Sequence, residues 1–281
     1  MLKRIYVEIT NVCNLACAFC PGTDRPKRFM SPAEFRAVAG KLRGRTRYLY
    51  LHVMGEPLLH PDLAEILSIA HETGFRVCLT TNGTLLPRAA LGLLAAPALH
   101  KVSVSLHSFE GNHRRDSLAD YLDGVLAFCR PAAKRGILCA LRLWNEGGAD
   151  RRNGEIEAVL GDRLGVDTRA LPVDPNGSRR LGENLYLESA EKFDWPDPAA
   201  PERQTQFCHA LRQQAAVLCD GTVVPCCLDG QGNIPLGNLF EEELDDILRS
   251  PRARAMERGF AARQPSEDLC RRCGYATRFN R

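Results

Sequence analysis

The 281-residue sequence predicts an α/β protein built on a parallel sheet. Two observations carry that prediction. Strand-like apolar runs alternate with amphipathic stretches through the first half, in five repeats of roughly 25–30 residues, the pattern of βα units joined by right-handed crossovers. The motifs with unusual chemistry also fall just after the predicted strands, where open sheets and barrels alike carry their sites. Periodicity alone leaves open whether the sheet curls.

In chain order, strands are expected at 5–10, 48–53, 76–80, 102–106 and 137–143, with helices at 32–43, 62–73, 86–95 and 118–135. Ser31 precedes Pro32 and is followed three residues later by Glu34, the signature of a capping box. From about 145 to 201 the pattern weakens. Gly147–Gly148, Pro172, Pro175 and the W-P-D-P run ending at Pro198 interrupt it, leaving a fifth helix at 154–164 and a short strand at 185–188. Such a stretch is a linker or a segment that shapes a substrate pocket, and the second is the expectation. Further on, 214–218 and 222–224 flank Asp220–Gly221 as a hairpin, and a helix is expected near 242–250.

Hydrophobic content of 44% and charged content of 25% are those of an ordinary globular protein. A net charge of +3 argues for neither a nucleic-acid partner nor an acidic membrane surface. No apolar window approaches a membrane span, and the first ten residues lack the features of a signal peptide. Twelve cysteines in that setting point to metal binding in a reducing, cytoplasmic compartment rather than to disulfides.

Cys13, Cys17 and Cys20 form a C-x3-C-x2-C run directly after the first strand. Three thiolates suit a cubane iron–sulfur cluster with one iron left open to a small molecule. Structural zinc needs four ligands, and this loop offers no fourth Cys or His.

This run, with Phe19 just before its third cysteine, resembles the signature of the radical S-adenosylmethionine (SAM) superfamily. The resemblance implies a partial (βα)6 TIM-like barrel over residues 1–200 and a [4Fe–4S] cluster on Cys13, Cys17 and Cys20. It also implies SAM chelated by the open iron, reductive cleavage to a 5′-deoxyadenosyl radical, and an external reductant such as flavodoxin or ferredoxin. Gly55, Glu56 and Pro57 look like the family's G-E-P turn, with Glu56 displayed toward the methionine amino group. Asn82 matches the T-N-G turn beside SAM, and Ser105 and His107 match polar residues of the fourth strand. Arg142, inside an apolar fifth strand, must be paired or hold an anion, and the SAM carboxylate is the expected partner.

The C-terminal cysteines resemble an auxiliary-cluster module of twitch/SPASM type over residues 201–281, implying a second [4Fe–4S] cluster on Cys208, Cys226, Cys270 and Cys273. Cys219 is an alternative to Cys208, and a four-cysteine zinc ribbon is the competing reading. Cys78, Cys129 and Cys139 lie in apolar patterns as small buried side chains. Cys227 is either structural or a catalytic hydrogen-atom donor.

The expected function is a radical SAM oxidoreductase whose auxiliary cluster conducts electrons, acting on a small molecule or peptide, as in 2-deoxy-scyllo-inosamine dehydrogenation. A peptide epimerase or maturase using Cys227 is the alternative. The absence of a fused leader-binding domain before the first strand mildly disfavours a self-sufficient peptide modifier. A non-catalytic zinc- or cluster-binding interaction protein is the alternative of another class.

Overall fold

A computed structural model describes residues 1–111, 117–148, 152–203 and 207–279. The barrel half runs β1 (Arg4–Val7), α1 (Pro32–Leu42), β2 (Tyr48–Tyr50), α2 (Leu63–Glu72), β3 (Arg76–Thr81), α3 (Leu86–Ala95), β4 (Leu99–Ser105), α4 (Leu118–Lys134) and β5 (Leu138–Glu146). It continues with α5 (Asn153–Leu164), β6 (Ser178–Gly182) and β7 (Leu185–Glu191). The C-terminal part adds β8 (Gln214–Val217), β9 (Thr222–Val224), β10 (Gly237–Asn238), α6 (Leu244–Arg249), α7 (Pro251–Ala261) and α8 (Asp268–Arg271).

The local signals act as expected. Ser31 caps α1, its hydroxyl accepting from the Glu34 N–H while the Glu34 carboxylate accepts from the Ser31 N–H. In α4, Tyr121, Leu122, Val125, Leu126 and Cys129 are buried, the spacing that seats one helical face on the sheet. On β1, Ile5 and Val7 are fully buried under the helices, while Arg4 and Tyr6 line an interior cleft. A strand's alternation thus separates core from cavity.

All strands belong to one sheet in the order β10-β9-β8-β1-β2-β3-β4-β5-β7-β6. From β8 to β7 every neighbouring pair is parallel; the edge pairs β9–β8, β10–β9 and β6–β7 are antiparallel. The sheet is therefore an open partial barrel whose sixth parallel strand is β7.

That strand extends the short run expected at 185–188 and pairs Arg142 of β5 with Glu188. The expected domain boundary near residue 200 falls in coil between β7 and β8, and the sheet continues across it through the β8–β1 pairing. The helix α7 was not anticipated; its buried face of Ala253, Met256 and Phe260 closes the C-terminal core. No helix among the described residues is long and apolar enough to cross a membrane.

Candidate active site

The loop carrying Cys13, Cys17 and Cys20 leaves the end of β1 at the mouth of the partial barrel, with Cys13 and Cys20 exposed and Cys17 half-buried. Its shape depends on Gly55. That residue has φ +78°, and a Cβ there would lie 2.5 Å from the Thr10 carbonyl oxygen and 2.9 Å from Asn11. Only glycine allows the β2 turn to pack so closely beneath the loop.

Glu56 corrects an expectation. Its carboxylate is not displayed: the residue is 2% exposed, with Oε1 accepting from the Leu58 N–H at 3.0 Å and Oε2 from the Asn82 N–H at 2.7 Å. The side chain ties the β2 and β3 turns together, and burial raises its pKa to about 7 against those two hydrogen bonds. Pro57 is buried and opens the short helical turn that sets this geometry. Asn82 extends the brace to the loop, donating from Nδ2 to Asn14 Oδ1 at 2.9 Å, between Cys13 and Cys17.

Phe19 packs on the His107 ring at 4.7 Å, and His107 Nδ1 lies 3.1 Å from the Arg142 carbonyl oxygen. His107 lies in the helical turn after β4 rather than on the strand itself. From the irregular segment, Trp195 Nε1 donates to the Phe19 carbonyl oxygen at 2.9 Å.

Glu8, unremarked in the sequence, proves to be the buried centre of the loop's far anchor. It is fully buried and accepts two hydrogen bonds from Arg25, at 2.6 and 2.7 Å, together with the N–H groups of Met54 and Cys219. Its one signal in the sequence was a charge on the alternating strand I-Y-V-E-I.

A cleft of about 400 Å³ runs through the barrel, lined among others by Phe19, Ser105, His107, Trp144 and Cys227. That volume falls within the range of small-molecule sites. Lys192, Phe193 and Trp195 supply part of its wall, as expected of the irregular segment. Arg142 also lines it, but its partner differs from the expectation: Nε lies 3.1 Å from Glu188, and the guanidinium stacks on Trp144 at 4.4 Å. The anion a buried arginine demands is supplied by the protein. Glu188 went unassigned because the sixth strand itself was read as a short fragment.

The second cysteine set surrounds a separate apolar cavity. Cys208, Cys226, Cys270 and Cys273 all line it, together with Ile234, Phe260 and Leu269. Cys219 does not; it is buried against Arg25 and Glu8, away from the cavity that Cys208 lines. Burial, then the neighbouring thiols Cys227, Cys208, Cys273 and Cys270, push the Cys226 thiol well up. Four thiolates this enclosed need a cationic centre.

The donor set fits an iron–sulfur cluster. Cys208 accepts from the Ala210 N–H at 3.4 Å, and Cys273 and Cys13 also accept backbone N–H bonds, the interaction that favours thiolate and tunes cluster sulfurs. By contrast the structural Cys139 donates to the Cys129 carbonyl oxygen. Among the described residues no three such side chains converge closely enough for a single metal ion.

Cys227 faces away from its neighbour. While Cys226 lines the four-thiol cavity, Cys227 lines the interior cleft, with a hydrogen bond to the Tyr6 hydroxyl.

A model of the radical SAM superfamily matches residues 7–144, and a SPASM model, an iron–sulfur cluster-binding domain, matches residues 208–274. The chain belongs to the radical SAM superfamily. It is an enzyme of that family with a SPASM-type auxiliary-cluster module, and its cofactors are SAM and [4Fe–4S] clusters. The non-catalytic alternative is thereby excluded.

This radical SAM enzyme is 34% identical over 205 residues to a probable GTP 3′,8-cyclase of Sulfurisphaera tokodaii, covering 68% of this chain and 63% of that protein. It is 30% identical over 139 residues to the Fe-coproporphyrin III synthase of Methanosarcina barkeri, covering 48% of this chain and 35% of that protein. The chain thus spans about half the length of the curated relatives it matches.

Among solved structures, BtrN in complex with AdoMet and 2-DOIA superposes with a TM-score of 0.62 at 20% identity, covering 97% of this chain and 93% of BtrN. SuiB of Streptococcus suis bound to precursor peptide SuiA gives a TM-score of 0.63 at 15% identity, covering 98% and 70%. These two likenesses establish the fold.

Proposed function

We propose that this chain is a radical SAM oxidoreductase in which the interior cleft holds the substrate and the C-terminal centre is an electron conduit. The observation that carries the reading is the Cys226–Cys227 pair, one residue facing the four-thiol cavity and the next facing the cleft. A wall one residue thick is short enough for electrons but closed to substrate.

When bound at a reduced cluster, SAM supplies a carbon radical that takes a hydrogen atom from the substrate. The chain's residues do the rest. Cys13, Cys17 and Cys20 hold the first cluster, and Cys208, Cys226, Cys270 and Cys273 hold the second. Asn82, Gly55 and Glu56 brace the first loop, while Phe19, His107 and Trp195 fix its inner edge. Trp144 and Phe193 exclude water from the cleft. Ser105 offers a hydroxyl to a ribose. Arg142, already neutralised by Glu188, orients Trp144.

The reading includes a reducing, cytoplasmic setting, supported by twelve cysteines with no disulfide among the described residues, and an external electron donor such as flavodoxin or ferredoxin. Dehydrogenation is the reaction type it favours.

Epimerisation or another peptide modification is the second reading, favoured by the Cys227 thiol lining the cleft beside Tyr6. Cys227→Ala separates the two once a substrate is found. A dehydrogenase retains turnover; an epimerase stalls without its hydrogen-atom donor. The first reading is tested directly by counting iron, sulfide and zinc in anaerobically purified protein, with reductive SAM cleavage measured on the same sample. No iron after reconstitution would end it, and about four irons with one zinc would remove the electron conduit.

A further inference from the structure

Four cations line the interior cleft: Arg4, Lys101, Arg142 and Lys192. Lys101 and Arg142 share one carboxylate, Glu188, at 2.8 and 3.1 Å. Arg4 has no carboxylate partner among the described residues; the polar groups acting on it are Tyr6, Tyr50, Tyr275 and the Cys227 thiol. Its guanidinium carbon lies 5.9 Å from the centre of the Tyr50 ring, and its Nε is buried without a hydrogen bond.

A second polar atom nearby is in the same condition. His52 Nδ1 is buried without a partner, while Nε2 meets Thr80 Oγ1 at 3.2 Å. Its ring lies between 5 and 6 Å from both tyrosines next to Arg4, 5.3 Å from Tyr6 and 6.0 Å from Tyr50.

An uncompensated, half-buried guanidinium is costly unless it meets an anion, and its planar fork suits two oxygens of one carboxylate or phosphate. Bound SAM does not remove the need. Its sulfonium and ammonium outweigh its carboxylate, so the cofactor adds positive charge to the cleft.

We propose that Arg4 anchors an anionic group of the substrate, a carboxylate or a phosphate, beside Cys227. This deepens the reading given under Proposed function and rests on it, since it takes the cleft as the substrate site. An anchored anion leaves the rest of the molecule in the cleft toward Phe19 and Ser105, and His52 Nδ1 gains a polar partner. Substrates without an anionic group are excluded from productive binding.

The test uses anaerobic protein loaded with iron and sulfide, in the presence of SAM at low ionic strength. Inorganic phosphate and acetate are titrated separately, with sodium chloride as the control for ionic strength. Binding is followed by calorimetry and by fluorescence of Trp144 and Trp195, the chain's two tryptophans, which both line the cleft. Wild type is expected to bind one of the two anions above the chloride control, and which one identifies the substrate class. Arg4→Gln weakens that binding by about 10-fold or more, and Arg4→Lys retains part of it.

Equal binding by wild type and Arg4→Gln, or no binding of either anion by wild type, overturns the proposal. It also falls if Arg4→Gln leaves anion binding intact but shifts the electron paramagnetic resonance spectrum of the C-terminal centre. Arg4 would then balance that centre's charge. Iron content and SAM binding of the same samples report separately on the radical SAM reading, so failure of the anchor is not confused with failure of the site.

Discussion

The two cysteine sets are built in opposite ways. The N-terminal three stand on a loop at the barrel mouth, two of them exposed, braced by the buried polar groups of Glu56 and Asn82 and by ring contacts at Phe19. The C-terminal four are pulled from three places in the chain into an apolar cavity closed by α7 and α8. An exposed, incomplete set leaves room for a small molecule on the metal; an enclosed set of four suits the electron-conduit role proposed above. The comparison teaches that exposure and ligand count together distinguish the two proposed roles, a reactive centre and a conducting one.

The sharpest way to break this contrast is to remove one set. Replacing Cys13, Cys17 and Cys20 by Ala is expected to lower iron from about eight to about four per chain and abolish reductive SAM cleavage. Iron analysis and detection of 5′-deoxyadenosine check it. Loss of all iron would show that the sets are not independent.

The reverse variant, Cys226→Ala, should also remove about four irons, but SAM cleavage should persist. Because Cys226 is enclosed among apolar side chains, the melting temperature should fall as well, by several degrees. Cleavage lost together with the second cluster would mean the conducting set supports the reactive one directly.

Gly55→Ala probes how the exposed set is braced. Forcing a Cβ to 2.5 Å from the Thr10 carbonyl oxygen at φ +78° is expected to cost about 3 kcal/mol or more. The loss should fall on iron bound by the N-terminal loop and spare the C-terminal set, which Cys13-set and Cys226 variants can apportion. Unchanged iron and stability would refute the brace.

The smallest effect concerns Glu56. Its folded-state pKa is raised by burial to about 7. A raised carboxyl stabilises the fold fully below its unfolded value near 4.5, and that contribution is lost as pH rises through about 7. Between pH 5 and 8, wild type should lose roughly 2–3 kcal/mol relative to Glu56→Gln. Parallel denaturation curves at several pH values check this; identical pH dependence would place the carboxylate in a more solvated site.

Much of this molecule was readable before any coordinates. The βα alternation, the capping box at Ser31 and the hairpin around Asp220–Gly221 are local signals, and each forms where expected. What escaped was non-local. Arg142 announced that it needed an anion, but Glu188 could not be chosen as that anion until β7 was known to lie beside β5. Glu56 stands out in the sequence but its buried surroundings do not, because a turn motif does not say which neighbouring N–H groups will converge on it. Glu8 gave only the weak signal of one charge on an apolar strand.

The sequence by itself determined the candidate ligands, since cysteines at C-x3-C-x2-C spacing and a further cysteine set are the residue types that metal chemistry needs. It also determined the strand-end placement of the first set, because periodicity and turn residues are properties of neighbours along the chain. Tertiary structure alone decided that Cys208 rather than Cys219 lines the four-thiol cavity, that Cys226 and Cys227 face different chambers, and that Arg4 has no carboxylate partner among the described residues. Those outcomes depend on which distant side chains share a cavity, and burial and pairing between distant residues are set by packing rather than by sequence spacing.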